Sequence, residues 1–285
     1  MENLYNETKF IMKKYGISAN KSLGQNFLIS DEVVSSIVNS AEISKNDLVI
    51  EIGPGLATLT KELLDNAGKL ICIELDKKML TILNDRFSLY SNFMLINDDV
   101  LKVDLKSLIS EEKEKNNLLS VKVVANLPYY ITTPIIMKLL EEHLDIDTIT
   151  VMIQKEVADR LTAIPGNKNS GAITYSVYYY SEAEKIIDVP KDSFIPAPEV
   201  TSSVIKLTLR NTPPIEVNNE EILFKLIKAA FMQRRKTLLN GLSNSNLFSS
   251  KDEIRDILAK LNIDEKVRGE NLTLQDFANI ANLIK

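Results

Sequence analysis

Short apolar runs alternate with amphipathic stretches along the first half of the chain. Apolar runs between polar or glycine residues predict buried strands, and apolar residues at helical spacing predict helices. Strands are predicted at residues 47–52, 69–75, 92–97, 119–125 and 148–154, helices at 31–40, 57–66, 77–88 and 133–142, a helical turn at 104–109 and a surface loop at 110–117. This alternation is typical of an α/β fold whose mainly parallel sheet is covered by helices on both faces.

The last two strands of this region follow a different pattern. Two runs with strand character, 184–189 and 202–209, are separated only by the proline-rich segment PKDSFIPAPEVT. A parallel pair needs a long crossover connection, usually a helix, and this segment is too short for one. We therefore expect an antiparallel pair at the edge of the sheet.

Beyond a short NTPP linker the chain changes to helical periodicity alone, which predicts an all-helical segment at 219–285. Its core candidates are Phe224, Leu226, Ile227, Leu238 and Leu239. We accordingly expect three parts: an irregular or partly helical N-terminal arm (1–30), an α/β domain (31–210) and a small helical domain (215–285).

The composition is that of an ordinary globular protein, since 45% of the 285 residues are apolar and 26% are charged. The chain has no apolar run of about 18 residues and no signal-peptide pattern, so we expect a cytoplasmic protein without a membrane span. The single cysteine, Cys72, lies in an apolar run and is predicted to be a core thiol. A chain with one histidine, His143, cannot supply a histidine-rich metal site, and we expect no metal.

Charge is unevenly distributed along this chain of net charge −5. Residues 8–30 and 222–251 contain several basic residues but no acidic ones. Basic stretches of this kind in an acidic protein indicate local contact with a polyanion such as RNA. Solvated helix faces are an equally good explanation of the charge pattern alone.

The segment Asn126-Leu127-Pro128-Tyr129 follows a predicted buried strand. Ligands of open α/β sheets bind at the carboxyl ends of the strands. The Asn126 oxygen can accept a hydrogen bond from an amine, and the rigid proline fixes the backbone so that a carbonyl can accept a second one. Tyr129 can stack on a ring face. These groups suit a flat, amine-bearing ring such as a flipped adenine.

Polar groups also follow the other strands of the predicted sheet. Gly53 and Gly55 follow the first strand and allow a ligand to approach the backbone closely. Glu74 ends the second strand, where a carboxylate can bind both ribose hydroxyls, and Asp99 follows the third, where it can accept from an adenine amine. Each residue alone is equally typical of a turn or a helix cap, but together with Asn126 they favour a nucleoside site.

The predicted nucleoside site suits S-adenosyl-L-methionine better than a dinucleotide. A dinucleotide site uses G-x-G-x-x-G to bind a pyrophosphate at a helix N-terminus, and the segment GPGLAT (53–58) lacks the third glycine. Glu51, Glu74 and Asp99 also predict an acidic rim, which would repel pyrophosphate but suit a cationic sulfonium.

Several ordered motifs along nearly the whole chain closely resemble those of the small-subunit ribosomal RNA adenine dimethyltransferases. The motifs are KSLGQNFL (21–28), EIGPGLATLT (51–60), IELD (73–76), NLPYYITTP (126–134), QKEVADRL (154–161), FIPAPEVTSSVIKL (194–207), FMQRRKTLLNGL (231–242) and RGENLTLQDF (268–277). Two relatives share much of this pattern: the large-subunit methyltransferases of antibiotic resistance and mitochondrial transcription factors derived from the fold. Ala57 stands where many relatives have glycine, and we expect little effect because a small residue still packs closely.

The resemblance implies a Rossmann-like methyltransferase domain with a seven-stranded sheet and an antiparallel hairpin, plus a small helical domain. It implies a site for S-adenosyl-L-methionine lined by Asn26, Leu28, Gly53, Gly55, Glu74, Asp99 and Asn126, with Gln25 holding the methionine end. It implies dimethylation of two neighbouring adenosines near the 3′ end of small-subunit ribosomal RNA, within an immature subunit and by a monomeric enzyme. Lys21, Arg234, Arg235 and Lys236 are the candidate RNA-binding residues.

A mechanism follows for the adenine amine. Asn126 and a backbone carbonyl at Leu127 or Pro128 would accept its two protons and orient its lone pair. Tyr129 would stack on one face of the base and Phe194, by analogy, on the other; a core position among prolines is the alternative for Phe194. A large-subunit methyltransferase, a non-catalytic assembly or transcription factor, and a nucleotide-dependent oxidoreductase are the competing functions.

Overall fold

The computed structural model describes residues 3–20, 23–233 and 236–284. Contacts divide the chain into two compact units. Unit 1 comprises the described residues of Met1–Ala158 together with Ala183–Leu209, and unit 2 those of Asp159–Glu182 and Arg210–Lys285.

Helices and strands alternate in the order expected from the hydrophobic pattern. In chain order they are α1 Leu4–Tyr15, β1 Phe27–Leu28, α2 Asp31–Ala41, β2 Asp47–Ile52, α3 Thr60–Asn66, β3 Lys69–Glu74, α4 Lys77–Phe87, β4 Phe93–Asn97, α5 Leu105–Lys115, β5 Ser120–Asn126, α6 Thr132–Glu141, β6 Thr148–Gln154, α7 Lys155–Leu161, α8 Ala172–Tyr180, β7 Ser181–Val189, β8 Phe194–Ile195, β9 Ser202–Leu209, α9 Glu220–Met232, α10 Leu238–Leu242, α11 Lys251–Lys260 and α12 Leu274–Ala281. Short 3-10 turns lie at Lys191–Ser193 and Gly269–Asn271.

A seven-stranded sheet in the order β4-β3-β2-β5-β6-β9-β7 forms the centre of unit 1. The neighbours from β4 to β6 are parallel, and β9 runs antiparallel to β6. All six residues of β2 are buried, as expected for a central parallel strand covered on both faces. The α/β prediction is confirmed, and β9 and β7 lie together at one edge of the sheet as expected.

A second, two-stranded sheet lies beside the central one in unit 1. Strands β1 and β8 pair in an antiparallel arrangement, with Phe27 opposite Ile195 and Leu28 opposite Phe194. This pairing anchors the end of the N-terminal arm to the proline-rich segment.

Helix α5 corrects the prediction of a helical turn followed by a surface loop at 110–117. Asp104 caps the helix by accepting a hydrogen bond from Ser107 N at 3.0 Å. The helix buries Leu105, Ile109 and Glu112, which lie on one face. The lysines and glutamates of the insert are good helix formers, so their polarity marks the exposed face of a helix and not a loop.

Residues 159–182 group with the C-terminal helices, whereas the sequence placed them in the α/β domain. Tyr175 is fully buried in the core of unit 2, where its hydroxyl donates to Leu272 O at 2.5 Å. Its ring packs edge-on against Phe277, with the ring centroids 5.2 Å apart. The aromatic residues of α8 therefore complete the helical core, which also buries the predicted core residues Leu226, Ile227, Leu238 and Leu239.

Across the described residues, no helix combines the length and the apolar character that crossing a membrane requires.

Candidate active site

A cavity of about 1100 Å³, counted with its open mouth, lies in unit 1 at the carboxyl ends of β2, β3 and β5. Eleven of the predicted catalytic and cofactor residues line it: Gln25, Asn26, Leu28, Gly53, Gly55, Glu74, Asp99, Asn126, Leu127, Pro128 and Tyr129. The parallel sheet explains this convergence, because residues that end successive parallel strands meet at one edge.

The loop after β2 forms one wall of the cavity. Gly53 and Gly55 have φ angles of 66° and 55°, in the left-handed region that glycine adopts without strain. Ala57 also lies there, with φ of 68°. Ala57 is buried, so a small residue fits as expected, but its Cβ makes this backbone conformation costly. The left-handed residue also explains why α3 begins at Thr60 and not at residue 57 as predicted.

Glu74, at the end of β3, is held by backbone amides. Its Oε2 accepts from Gly55 N at 3.0 Å and its Oε1 from Asp76 N at 2.8 Å. Only 6% of the residue is exposed, and this burial raises the pKa of the carboxyl although the two amides oppose the shift. Each oxygen keeps a second lone pair, which can accept a ligand hydroxyl.

The charge of Glu51 differs from the one expected from the sequence. It is 2% exposed near the end of β2, and Cys72 Sγ donates to its Oε2 at 3.3 Å. Burial raises the pKa of Glu51 to about 7 and raises that of the buried Cys72 thiol as well. Glu51 therefore contributes less negative charge than expected, and the exposed Asp98 at the cavity supplies charge that the sequence argument did not name.

Asp99 lies two residues beyond the end of β4, and Asn126 is the last residue of β5. Leu101 N donates to Asp99 Oδ1 at 3.0 Å, which orients the carboxylate and leaves Oδ2 as the second acceptor. Asn126 Nδ2 donates to Asn26 O at 3.2 Å. Because a carbonyl only accepts, this bond identifies the amide nitrogen, and the Asn126 oxygen is the atom available to accept from a ligand.

The carbonyls of Leu127 and Pro128 differ in whether they are already hydrogen-bonded. Leu127 N donates to Met152 O at 3.1 Å, and Pro128 O accepts from both Ile131 N at 3.2 Å and Thr132 Oγ1 at 3.1 Å. Within the described residues, the Leu127 carbonyl accepts no hydrogen bond. Of the two carbonyls predicted to bind an amine, Leu127 is therefore the better candidate.

Tyr129 is fixed by a partner that the sequence did not reveal. Its hydroxyl lies 2.6 Å from Ser202 Oγ at the start of β9. Ser202 is fully buried, and no sequence spacing links the two residues. Partial burial raises the pKa of Tyr129, so the hydroxyl stays neutral at physiological pH. Tyr130 also lines the cavity and was likewise missed.

Phe194 does not line the cavity. It is 3% exposed, lies opposite Leu28 in the β1–β8 pair and belongs to the hydrophobic core of unit 1. This position matches the core alternative, so the predicted stacking role has no contact to support it in this conformation.

The predicted RNA-binding residues fall mostly outside the described chain. Lys21, Arg234 and Arg235 lie outside the described residues. Lys236 is exposed in unit 2.

Comparison with known proteins places the chain among ribosomal RNA methyltransferases. The family model described as ribosomal RNA adenine dimethylase matches residues 16–285. The ribosomal RNA small subunit methyltransferase A of Clostridioides difficile (strain 630) is 49% identical over 280 residues, which are 98% of this chain and 96% of that protein. The protein of the same name from Bacillus pumilus (strain SAFR-032) is 50% identical over 281 residues, covering 98% and 95%.

Solved structures agree with this assignment. A dimethyladenosine transferase from Plasmodium falciparum superposes with a TM-score of 0.74 at 27% identity, covering 89% of this chain and 95% of that chain. The 23S rRNA methyltransferase ErmE has a TM-score of 0.68 at 22% identity, covering 91% and 99%, which shows a shared fold. The match over nearly the whole chain confirms the resemblance found in the motifs: this chain belongs to the ribosomal RNA adenine dimethylase family.

Proposed function

We propose that this protein transfers methyl groups from S-adenosyl-L-methionine to the exocyclic amines of two adjacent adenosines near the 3′ end of small-subunit ribosomal RNA. The names of the curated relatives support the small subunit as the substrate, because those relatives are about half identical to this chain. The large-subunit enzyme ErmE is only 22% identical. The substrate form we propose is an immature small subunit in the cytoplasm, bound by a monomer.

The cavity fits the methyl donor in its chemistry. Glu74 offers carboxylate oxygens for the ribose hydroxyls, Asp99 offers Oδ2 for the adenine amine, and the glycine loop permits close backbone approach. Among the described residues that line the cavity, none is basic. A sulfonium cation therefore meets no repelling charge, whereas the pyrophosphate of a dinucleotide would find no positive side chain to bind it.

The observation that carries the proposal is the 3.2 Å bond from Asn126 Nδ2 to Asn26 O. It orients the side chain so that Oδ1 is free to accept one proton of the adenine amine. The Leu127 carbonyl would accept the other, because the Pro128 carbonyl is already engaged. Two acceptors would draw the amine nitrogen out of conjugation with the ring and orient its lone pair.

The bound donor supplies an electrophilic methyl group on a positively charged sulfur. The protein then needs no strong base, because the amine proton becomes acidic only as the new nitrogen–carbon bond forms. Tyr129 would stack on the base, with its ring direction held by the bond to Ser202. Such stacking is worth about 1–3 kcal/mol per base.

The basic residues provide the proposed contact with RNA backbone. Lys21, Arg234, Arg235 and Lys236 lie in acid-free stretches of an otherwise acidic chain. Contacts of lysine and arginine with phosphate supply affinity that does not depend on sequence and that weakens with salt.

Mass mapping of methylated nucleotides tests the proposed function. Immature small subunits and large subunits from an unmethylated strain would be incubated separately with the protein and isotopically labelled donor. We expect dimethylation of two neighbouring adenosines in the small subunit alone. Labelling of the large subunit alone would contradict the proposal and favour the antibiotic-resistance activity.

A further inference from the structure

Both polar atoms of the Gln25 side chain are bonded to protein groups. Its Oε1 accepts from Asn20 N at 2.9 Å, and its Nε2 donates to Asp76 Oδ2 at 3.0 Å. The orientation of the amide is unambiguous, because a backbone N–H only donates and a carboxylate only accepts. The resemblance assigned Gln25 to the methionine end of the donor, whereas in this structure one N–H of its Nε2 and one lone pair of its Oε1 are engaged by protein groups.

Asp76 extends this connection to the cavity wall. Its Oδ1 caps α4 by accepting from Lys78 N at 3.0 Å, and its own N–H donates to Glu74 Oε1 at 2.8 Å. Glu74 Oε2 in turn accepts from Gly55 N at 3.0 Å. A continuous series of hydrogen bonds thus runs from the N-terminal arm through Asp76 and Glu74 to the glycine loop.

The same part of the arm also contacts the target side of the cavity. Asn26 O, next to Gln25, accepts from Asn126 Nδ2 at 3.2 Å. The segment then enters β1, which is anchored by its pairing with β8. We call residues 23–28 the arm segment. It bonds directly to Asn126, the residue predicted to bind the target amine, and it is linked through Asp76 to Glu74, the residue predicted to bind ribose.

We propose that Gln25 is a positioning residue that fastens the arm segment to Asp76, and that it does not bind the methionine end of the donor directly. Its bond to Asp76 holds Glu74 in place for the nucleoside, and the placement of Asn26 holds Asn126. This inference deepens the proposed function and depends on it.

Two ligands that differ only at the methionine end separate the two roles of Gln25. S-adenosylhomocysteine and 5′-methylthioadenosine share the nucleoside and the thioether, but the second lacks the amino-acid portion. Isothermal titration would compare both ligands on the full chain, on Gln25→Ala and on Gln25→Met, which retains the side-chain volume. We expect both variants to weaken both ligands by the same factor, about tenfold, because a bond to a charged group is lost.

Asp76→Asn tests the Gln25–Asp76 hydrogen bond from its other end. It keeps an acceptor for the α4 cap but presents a donor toward Gln25 Nε2, so it breaks the same bond. We expect it to reproduce the Gln25→Ala loss, and the double variant to lose no more than either single variant. Amide hydrogen exchange at residues 23–28 is expected to accelerate in all of them without ligand.

Gln275→Ala, an exposed glutamine of α12 in unit 2, is the matched control and is expected to change neither affinity nor exchange. A loss confined to S-adenosylhomocysteine, with unchanged affinity for 5′-methylthioadenosine and unchanged exchange, would overturn the positioning role and make Gln25 a direct ligand. Failure of the unaltered protein to bind either compound would instead refute the proposed donor, so the two failures are distinguishable.

Discussion

The cofactor side and the target side of the cavity are held by different kinds of contact. On the cofactor side, Glu74 is buried and accepts from two backbone amides within 3.0 Å. On the target side, Asn126 and Tyr129 each depend on one hydrogen bond to a distant part of the chain, and Phe194 is buried away from the cavity. Backbone contacts that follow from the fold thus prepare the donor site, whereas the site for the base depends on the tertiary placement of a few side chains.

The largest effect that separates the two sides is expected for Asn126→Ala. Removing the acceptor for the target amine should lower kcat by about 10²–10³-fold, as for other single groups that stabilise a transition state by hydrogen bonding. Affinity for S-adenosylhomocysteine should change far less, since Glu74 and the glycine loop are untouched. Single-turnover kinetics and titration measure the two quantities. A near-normal methyl-transfer rate would contradict the role of Asn126.

Glu51→Gln tests the buried acid on the cofactor side through its effect on stability. Glu51 keeps its proton up to about pH 7 in the folded protein but loses it near its ordinary pKa of 4.5 when unfolded. The folded state therefore binds more protons between these pH values, and stability falls as pH rises from about 4.5 to about 7. Glutamine does not ionise, so the variant does not lose this stability. The free energy of unfolding of Glu51→Gln, relative to that of the parent, should therefore be up to about 3 kcal/mol higher at pH 8 than at pH 4.

Urea unfolding at the two pH values measures this difference. Glu111→Gln, at an exposed position in α5, is the matched control for replacing a glutamate by a glutamine. An equal offset between Glu51→Gln and the parent at both pH values would show that Glu51 has the same pKa in the folded and the unfolded protein and would contradict its raised pKa.

Tyr129→Leu and Phe194→Leu sharpen the description of the target side. In Tyr129→Leu, loss of a stacking face should lower kcat/KM for the RNA substrate by the equivalent of about 1–3 kcal/mol.

Phe194→Leu should lower the free energy of unfolding by about 1 kcal/mol because it alters the core. If Phe194 also stacks on the base as predicted, Phe194→Leu should reduce kcat/KM as well. A loss of stability without a loss of kcat/KM would leave Phe194 with a core role alone.

The smallest effect is expected at Ala57, on the glycine loop. Its φ of 68° is strained for any residue with a Cβ. Ala57→Gly should therefore raise the free energy of unfolding by about 0.5–1 kcal/mol, after allowing for the more flexible unfolded chain. Thermal unfolding measures the change. A destabilised variant would show that packing of the Ala57 methyl group outweighs the backbone strain.

The cofactor side could be predicted from the sequence because its residues are set by local order along the chain. Gly53 directly follows β2 and Glu74 ends β3, and parallel strands bring such ends together without further information. The missing third glycine and the acidic side chains then favoured S-adenosyl-L-methionine, and the family motifs implied the same ligand. The same locality explains why two neighbouring strands at the sheet edge could be anticipated from a short connection.

What escaped prediction depends on contacts between distant residues or on backbone angles. The Tyr129–Ser202 bond and the Gln25–Asp76 bond join separate parts of the chain without a spacing that reveals them. The strain at Ala57 appears only in its φ angle, since the residue is small enough to pack. The polar composition of 110–117 resembles that of a loop, although α5 continues to Lys115 and buries Glu112 on the same face as Leu105 and Ile109.

The most direct test of the proposed catalytic arrangement is a crystal structure with a bisubstrate analogue, in which the adenine amine nitrogen is tethered to the sulfur position of the donor. We predict that this nitrogen, which keeps one N–H after tethering, lies about 2.8–3.2 Å from Asn126 Oδ1 or from the Leu127 carbonyl oxygen, with the Tyr129 ring stacked on the base. An analogue bound with its amine nitrogen out of hydrogen-bonding distance of both oxygens would contradict the account.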